Sequence, residues 1–241
     1  MAFGERVAEA GAAARIEKAV ARAAAGEPLQ YILGHTEFCG HRIEVAPGVL
    51  IPRPETEEMT MMIIGENSGF AGTVTDLCTG SGCIAIALSL AFPDADITAT
   101  DLYHAALNVA IRNITRTGAA VTLVQADILN DDPGHVPASN IIVSNPPYVT
   151  GQEKAAMHGN VLNHEPHEAL FVPDDNPLLY YRAIAAVAET RLLPGGTLWL
   201  EVNENLAGET AALLSPETYR EVRVLKDIRE KERFIKAEKH G

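Results

Sequence analysis

Cysteine is scarce in this chain, and the three present, Cys39, Cys78 and Cys83, show no repeated C-x-x-C spacing. That argues against a disulfide framework or a thiolate zinc site and favours a reducing compartment. Positive charge is also short: 19 Lys and Arg face 32 Asp and Glu, a formal charge of −13. The basic footprint of a nonspecific nucleic-acid binder is therefore missing, and no direct nucleic-acid partner is expected. Long apolar runs are absent. The longest uncharged apolar stretch, 83–92, is half of the roughly 20 residues that span a bilayer, so no membrane partner is expected either. Glu5, Arg6, Glu9, Arg15, Glu17 and Lys18 leave no room for the apolar core of a signal peptide, and a cytoplasmic location is expected. No internal repeat is visible, and the only biased tract is alanine-rich, near the N-terminus.

What is present suits a folded α/β protein. With 241 residues, 47% hydrophobic and 21% charged, the chain has the length for one domain plus a small appendage. Residues 2–25 read as a helical arm, favoured by alanine propensity, with Phe3, Val7, Ile16 and Val20 as its larger apolar anchors. Gly26-Glu27-Pro28 ends it. Glycines and prolines then punctuate short β-prone runs such as 42–45, which predicts a β-hairpin linker. The expected division is an arm over 1–27, a linker over 28–55 and a main domain over 56–241.

Beyond a helix at 56–64 and a loop at 65–72, strand and helix patterns alternate. Strands are expected at 73–77, 96–101, 121–125, 140–144 and 197–201, with helices at 83–91, 105–117 and 178–192. Such alternation predicts a parallel sheet with crossover helices. The segments 219–226 and 233–239 flank a charged turn and read as an antiparallel hairpin, giving seven strands in a mixed sheet. Asn113-Ile114-Thr115 has the spacing of a glycosylation acceptor but reads as part of a helix.

Asp76-Leu77-Cys78-Thr79-Gly80-Ser81-Gly82-Cys83 falls where the first main strand turns into a helix. Glycines there let backbone N–H groups approach a ligand, and a helix N-terminus favours an anionic group. Asp101 ends the next strand about 20 residues on, the usual place for a carboxylate that accepts ribose hydroxyls. Together they describe an adenosine-ligand site; Ala85 also completes the G-x-G-x-x-A pattern, so the loop alone does not separate NAD from S-adenosylmethionine. Asp127 and Ile128 follow the third strand, where adenine contacts would lie.

Ser144-Asn145-Pro146-Pro147-Tyr148 follows the fourth strand and so sits at the same sheet edge. The prolines fix φ and remove two donors, leaving a stiff loop whose carbonyls meet no competing N–H. Asn145 adds a side-chain acceptor. Two fixed acceptors on the hydrogens of a planar amide or aromatic amine favour the pyramidal, charged nitrogen that develops as it takes a methyl group.

At this point the chain resembles S-adenosylmethionine-dependent methyltransferases with an Asn-Pro-Pro-Tyr motif, and most closely the HemK-type release-factor glutamine methyltransferases. The likeness runs over about 27–239. It includes Pro28-Leu29-Gln30-Tyr31-Ile32-Leu33-Gly34, the stretch from Gly48 through Ile51-Pro52-Arg53-Pro54-Glu55-Thr56-Glu57, and Glu165-Pro166-His167-Glu168-Ala169-Leu170. The resemblance implies a class I methyltransferase fold, Rossmann-like, with a seven-stranded mixed sheet and S-adenosylmethionine as methyl donor. It implies N5-methylation of the glutamine in the Gly-Gly-Gln tripeptide of peptide chain release factors. By matching position, Asn145 and the Pro146 carbonyl hold the glutamine amide, with Pro147 and Tyr148 beside it. Cofactor contacts come from Cys78, Thr79, Gly80, Ser81, Gly82, Asp101, Asp127, Ile128 and Asn145, with Arg53 and Glu55 in a linker that closes over the site. Cys78 stands where the family often carries glycine, Ile128 where an aromatic is common, and the helical arm is shorter than the family's N-terminal domain. The rival readings are glutamine methylation of a ribosomal protein, adenine-N6 methylation of a nucleic acid with a flipped base, and an inactive S-adenosylmethionine-binding module.

Three other features carry less. His158, His164, Glu165 and His167 match no metal-ligand spacing and read as a solvated loop, of which 165–170 is a candidate cap for the substrate pocket. The basic C-terminal run is interleaved with acids and reads as a solvated hairpin. Trp199 and the strand 197–201 read as core.

Overall fold

The computed structural model describes residues 11–241; Phe3, Val7 and the other early arm residues lie outside it. An N-terminal helix α1 (Ala12–Ala24) buries none of its side chains, in keeping with a helix held by propensity rather than packing. A short helix α2 (Leu29–Leu33) follows, then β1 (His35–Phe38) and β2 (His41–Glu44), which pair antiparallel as the expected hairpin. The linker patterning hid α2 because a helix of 5 residues is too short to show a period.

The main sheet is built from β3 (Thr73–Leu77), β4 (Asp96–Asp101), β5 (Val121–Gln125), β6 (Ser139–Ser144), β7 (Leu192–Glu201), β8 (Tyr219–Lys226) and β9 (Glu232–Lys239). Its spatial order is β5-β4-β3-β6-β7-β9-β8. The first five strands in that order run parallel; β9 pairs antiparallel with both β7 and β8. The helices are α3 (Pro54–Glu66), α4 (Cys83–Ala91), α5 (His104–Thr117), α6 (Gly159–His164), α7 (Leu179–Arg191) and α8 (Ala207–Ala211).

Alternation along the strands divides the core. Ile141, Val143 and Trp199 face the cluster holding α3 and α4, while Ile142, Leu198 and Leu200 face the cluster holding α7 and α8. Both sheet faces are covered, which is why these strands read as near-continuous apolar runs. A third cluster, Tyr31, Val45, Val49, Ile51, Ala106 and Val109, seats the linker on α5. Differences from the sequence expectation are local: α3 continues through Gly65 and Glu66, β7 starts at Leu192 ahead of Pro194-Gly195-Gly196, the short α6 interrupts a segment read as loop, and the short α8 falls where no element was expected. Each is a boundary or a one-turn helix, where tertiary packing outweighs local propensity.

Chain order reverses at β3: β4 and β5 lie on one side and β6 on the other. Such a switch point opens a crevice at the carboxyl ends of the strands. Leu77 and Ser144 are paired in register there, and the Ser144 hydroxyl donates to the Leu77 carbonyl at 2.7 Å. The glycine loop and the Asn-Pro-Pro-Tyr loop therefore leave adjacent strands from a locked starting point.

Candidate active site

The glycine loop is shaped by two buried carboxylates. Asp76 accepts from the Thr79 hydroxyl at 2.5 Å and the Ala85 N–H at 3.3 Å, while its Oδ1 has no partner among the described residues. Burial pushes the Asp76 carboxyl up to about 7, against the pull of the Thr79 and Ala85 hydrogen bonds. Asp101 accepts the Gly80 N–H at 2.8 Å on one oxygen and the Tyr103 N–H at 3.0 Å on the other. Burial raises its carboxyl too, opposed by those backbone bonds. Asp101 thus braces the loop and keeps lone pairs for further donors.

The two glycines serve different ends. Gly80 has φ +57° and a Cβ there would meet nothing, whereas at Gly82 (φ +82°) it would stand 3.2 Å from the Ala110 Cβ. The second glycine lets α4 lie against α5. Cys78 also adopts a positive φ, 60°, the conformation for which glycine is better suited. Burial raises the Cys78 and Cys83 thiols well above their ordinary range, so both stay protonated.

A cavity of about 260 Å³ lies over this crevice. Its floor is Cys78, Thr79, Gly80, Ser81 and Asp101. One wall is Asp127, Ile128 and Tyr180; the roof comes from Val49, Leu50 and Pro52 of the linker; Thr56, Asn145, Pro147, Pro166, Glu168 and Ala169 close the remaining side. Of the residues singled out from sequence, Gly82, Pro146, Tyr148, Arg53 and Glu55 do not line it. Pro146 is buried between two lining residues. Arg53 donates to Glu165 at 2.6 Å, and Glu55 faces Arg229 at 3.5 Å. Tyr148 points away from the cavity, donating its hydroxyl to Glu201 at 3.0 Å.

Residues that sequence reasoning passed over hold this arrangement together. Glu165, read with 165–170 as a solvated loop and candidate cap but given no partner, has a side chain 1% exposed; it accepts from the Ile51 N–H as well as from Arg53 and ties the roof to the segment after α6. Asn113, read only as a helix residue, is fully buried. Its amide accepts the Glu44 N–H and donates to the carbonyls of Glu44 and Ser81, joining the hairpin, α5 and the glycine loop. Asn145 Nδ2 donates to the Thr56 hydroxyl at 2.9 Å, which in turn donates to Glu201 at 2.6 Å. Burial raises the Glu201 carboxyl, while bonds from Thr56 and Tyr148 and the charge of Arg233 oppose it. A carboxylate ending an otherwise apolar strand at the ligand-binding edge was the available signal.

A glycine loop, a ribose-type carboxylate and a proline-stiffened acceptor loop on this strand order define the class I S-adenosylmethionine-dependent methyltransferase fold. The chain superposes on a 16S rRNA N2 G1207 methyltransferase from Thermus thermophilus, in complex with AdoMet and guanosine, with a TM-score of 0.60 at 20% identity over 86% of this chain and 50% of that one. A methyltransferase from Pyrococcus furiosus gives 0.57 at 20% identity over 95% and 98%. These likenesses concern the fold alone. Within it, residues 53–171 match the methyltransferase small domain and residues 1–34 the PrmC N-terminal domain. The chain is 46% identical to the release factor glutamine methyltransferase of Bacteroides thetaiotaomicron, over 92% of its own length and 80% of that protein. It is 42% identical to that of Flavobacterium psychrophilum, over 87% and 75%. The chain belongs to the release factor glutamine methyltransferase family.

Proposed function

We propose that the chain is a protein-(glutamine-N5) methyltransferase acting on the Gly-Gly-Gln glutamine of peptide chain release factors, in the cytoplasm. The observation that carries the reading is the side chain of Asn145: it lines the cavity, and one N–H of its NH2 group donates to Thr56, which turns Oδ1 away from Thr56 as an acceptor. A glutamine amide offers two N–H hydrogens, and acceptors on both stabilise the charge that builds on nitrogen during transfer. Asn145 Oδ1 supplies one acceptor and the Pro146 carbonyl the other; Pro147 bounds the flat group, and Tyr148 holds the loop from behind.

S-adenosylmethionine, when bound, supplies the electrophilic methyl group and leaves as S-adenosylhomocysteine. The residues suit it: a mainly apolar cavity wall for a flat ring, Asp101 for ribose hydroxyls, and the orphaned buried oxygen of Asp76 beneath the loop. Cys78, Thr79, Gly80 and Ser81 cradle the ligand with backbone groups, and Asp127 and Ile128 border the adenine. Gly82 shapes the loop from α4, and Arg53 bears on the site through Glu165. The arm over 1–27, the linker over 28–55 and the domain over 56–241 serve as appendage, roof and catalytic body.

The test is incubation with labelled S-adenosylmethionine and an unmethylated release factor, with the label mapped by peptide mass spectrometry. Label on the Gly-Gly-Gln glutamine is expected; label elsewhere, or on an oligonucleotide instead, overturns the reading. Asn145→Ala is expected to lower kcat by about 10²-fold, with cofactor affinity by calorimetry nearly unchanged.

A further inference from the structure

The hydrogen bonds behind Asn145 have a direction, and one residue sets it. Glu201, at the carboxyl end of β7, is 1% exposed and sits outside the cavity wall. As a carboxylate it is acceptor-only. Thr56 Oγ1 reaches its Oε2 at 2.6 Å and the Tyr148 hydroxyl its Oε1 at 3.0 Å, so both hydroxyls must donate. A threonine hydroxyl has a single proton. With that proton on Glu201, Thr56 can only accept from Asn145, 2.9 Å away. The amide of Asn145 is then turned with NH2 toward Thr56 and Oδ1 away from it.

We propose that Glu201 is a positioning residue for methyl transfer: through Thr56 it fixes which face of the Asn145 amide meets the substrate, and through Tyr148 it pins the other end of the same loop. This rests on the reading of Asn145 as the acceptor for the substrate amide. Two residues of Asn145-Pro146-Pro147-Tyr148 are thus held by one buried carboxylate, and the prolines between them supply the stiffness. A group that can donate in place of Glu201 reverses the chain. Thr56 is then free to donate to Asn145, and the amide rotates to present NH2, a donor, to a substrate that needs acceptors. Protonation of Glu201 has the same consequence, and burial moves its carboxyl toward that form.

The variants that separate this from bulk destabilisation are Thr56→Val, which keeps shape and loses the hydroxyl, Thr56→Ser, which keeps the hydroxyl, and Glu201→Gln. Steady-state methylation of an unmethylated release factor, affinity for S-adenosylhomocysteine and nitrogen-15 NMR of the Asn145 side-chain amide are read together. Thr56→Val and Glu201→Gln are expected to lower kcat about 10²-fold while cofactor affinity stays within about threefold, and Thr56→Ser to restore turnover. The Asn145 amide protons are expected to exchange slowly in the parent, faster in Thr56→Val and as in the parent in Thr56→Ser. Parent-like kcat or parent-like amide exchange in Thr56→Val overturns the proposal. A parent enzyme that leaves the release factor unlabelled while the amide exchange behaves as expected overturns the substrate reading instead. Should Glu201→Gln not fold, Glu201→Asp, which keeps the carboxylate but withdraws it from Thr56 and Tyr148, takes its place, and parent-like kcat in a folded Glu201 variant overturns the proposal.

Discussion

Asp76 shows what burial does to a single group at this site. Its carboxyl lies wholly out of water with one oxygen unpartnered, and burial lifts it from an ordinary 3.8 to about 7. The folded protein therefore holds this proton more tightly than the unfolded chain does. Its contribution to stability is complete below about pH 4 and is lost as pH rises through about 7. In the ligand-free protein, Asp76→Asn is expected to remove that loss. Between pH 5 and pH 8 the parent should lose up to about 3 kcal/mol more unfolding free energy than the variant, measured by urea titration. Equal pH dependence would show that the Asp76 carboxylate is solvated or neutralised in a way its burial does not reveal.

Among the elements, the β1–β2 hairpin depends most on a few bonds. It is a two-stranded sheet, and such ribbons are marginal without packing or anchors. Its apolar residues Phe38 and Ile43 reach the main core, and its last residue is held by Asn113 from α5. Asn113→Ala strands the N–H and carbonyl of Glu44 and the carbonyl of Ser81 without the partners they have now. The expected cost is about 2–4 kcal/mol, with faster hydrogen exchange confined to the hairpin and glycine loop. Uniformly faster exchange throughout the chain would instead mean that the anchor serves the whole fold. The ion pair of Arg53 with Glu165 plays a related part for the roof, since it joins the start of α3 to the segment that supplies Pro166, Glu168 and Ala169.

At the scale of the molecule, the charge of −13 is distributed so that the basic C-terminal hairpin stays paired. Arg220 meets Glu238, Lys236 meets Glu66, Lys231 meets Glu204, and Arg233 meets both Glu204 and Asp227. Exposed pairs of this kind add little stability. The two halves of the sheet meet at the cavity, so a ligand there couples to global unfolding. S-adenosylhomocysteine at about 100 times its Kd is expected to add about 2.7 kcal/mol, or roughly 5–10 °C in Tm for a chain of this size. The same concentration should shift Asp101→Ala far less, and an undiminished shift would place the ribose away from Asp101.

Much of this was legible in the residue order because it rests on local chemistry. The alternation of apolar runs with helical patterns dictated the parallel sheet, since strands buried on both faces must be apolar throughout. The positions of the glycine loop, Asp101 and Asn145 followed from the rule that ligands meet a parallel sheet at its carboxyl edge. What only the tertiary structure decided involves partners far apart along the chain. Thr56 meets Glu201, Arg53 meets Glu165, and Asn113 meets both Glu44 and Ser81. A carboxylate or amide in sequence looks the same whether water or a buried hydroxyl satisfies it. The direction in which Tyr148 points was hidden for the same reason: a phenol ring can line a cavity or leave it, and the buried carboxylate of Glu201 chose the second.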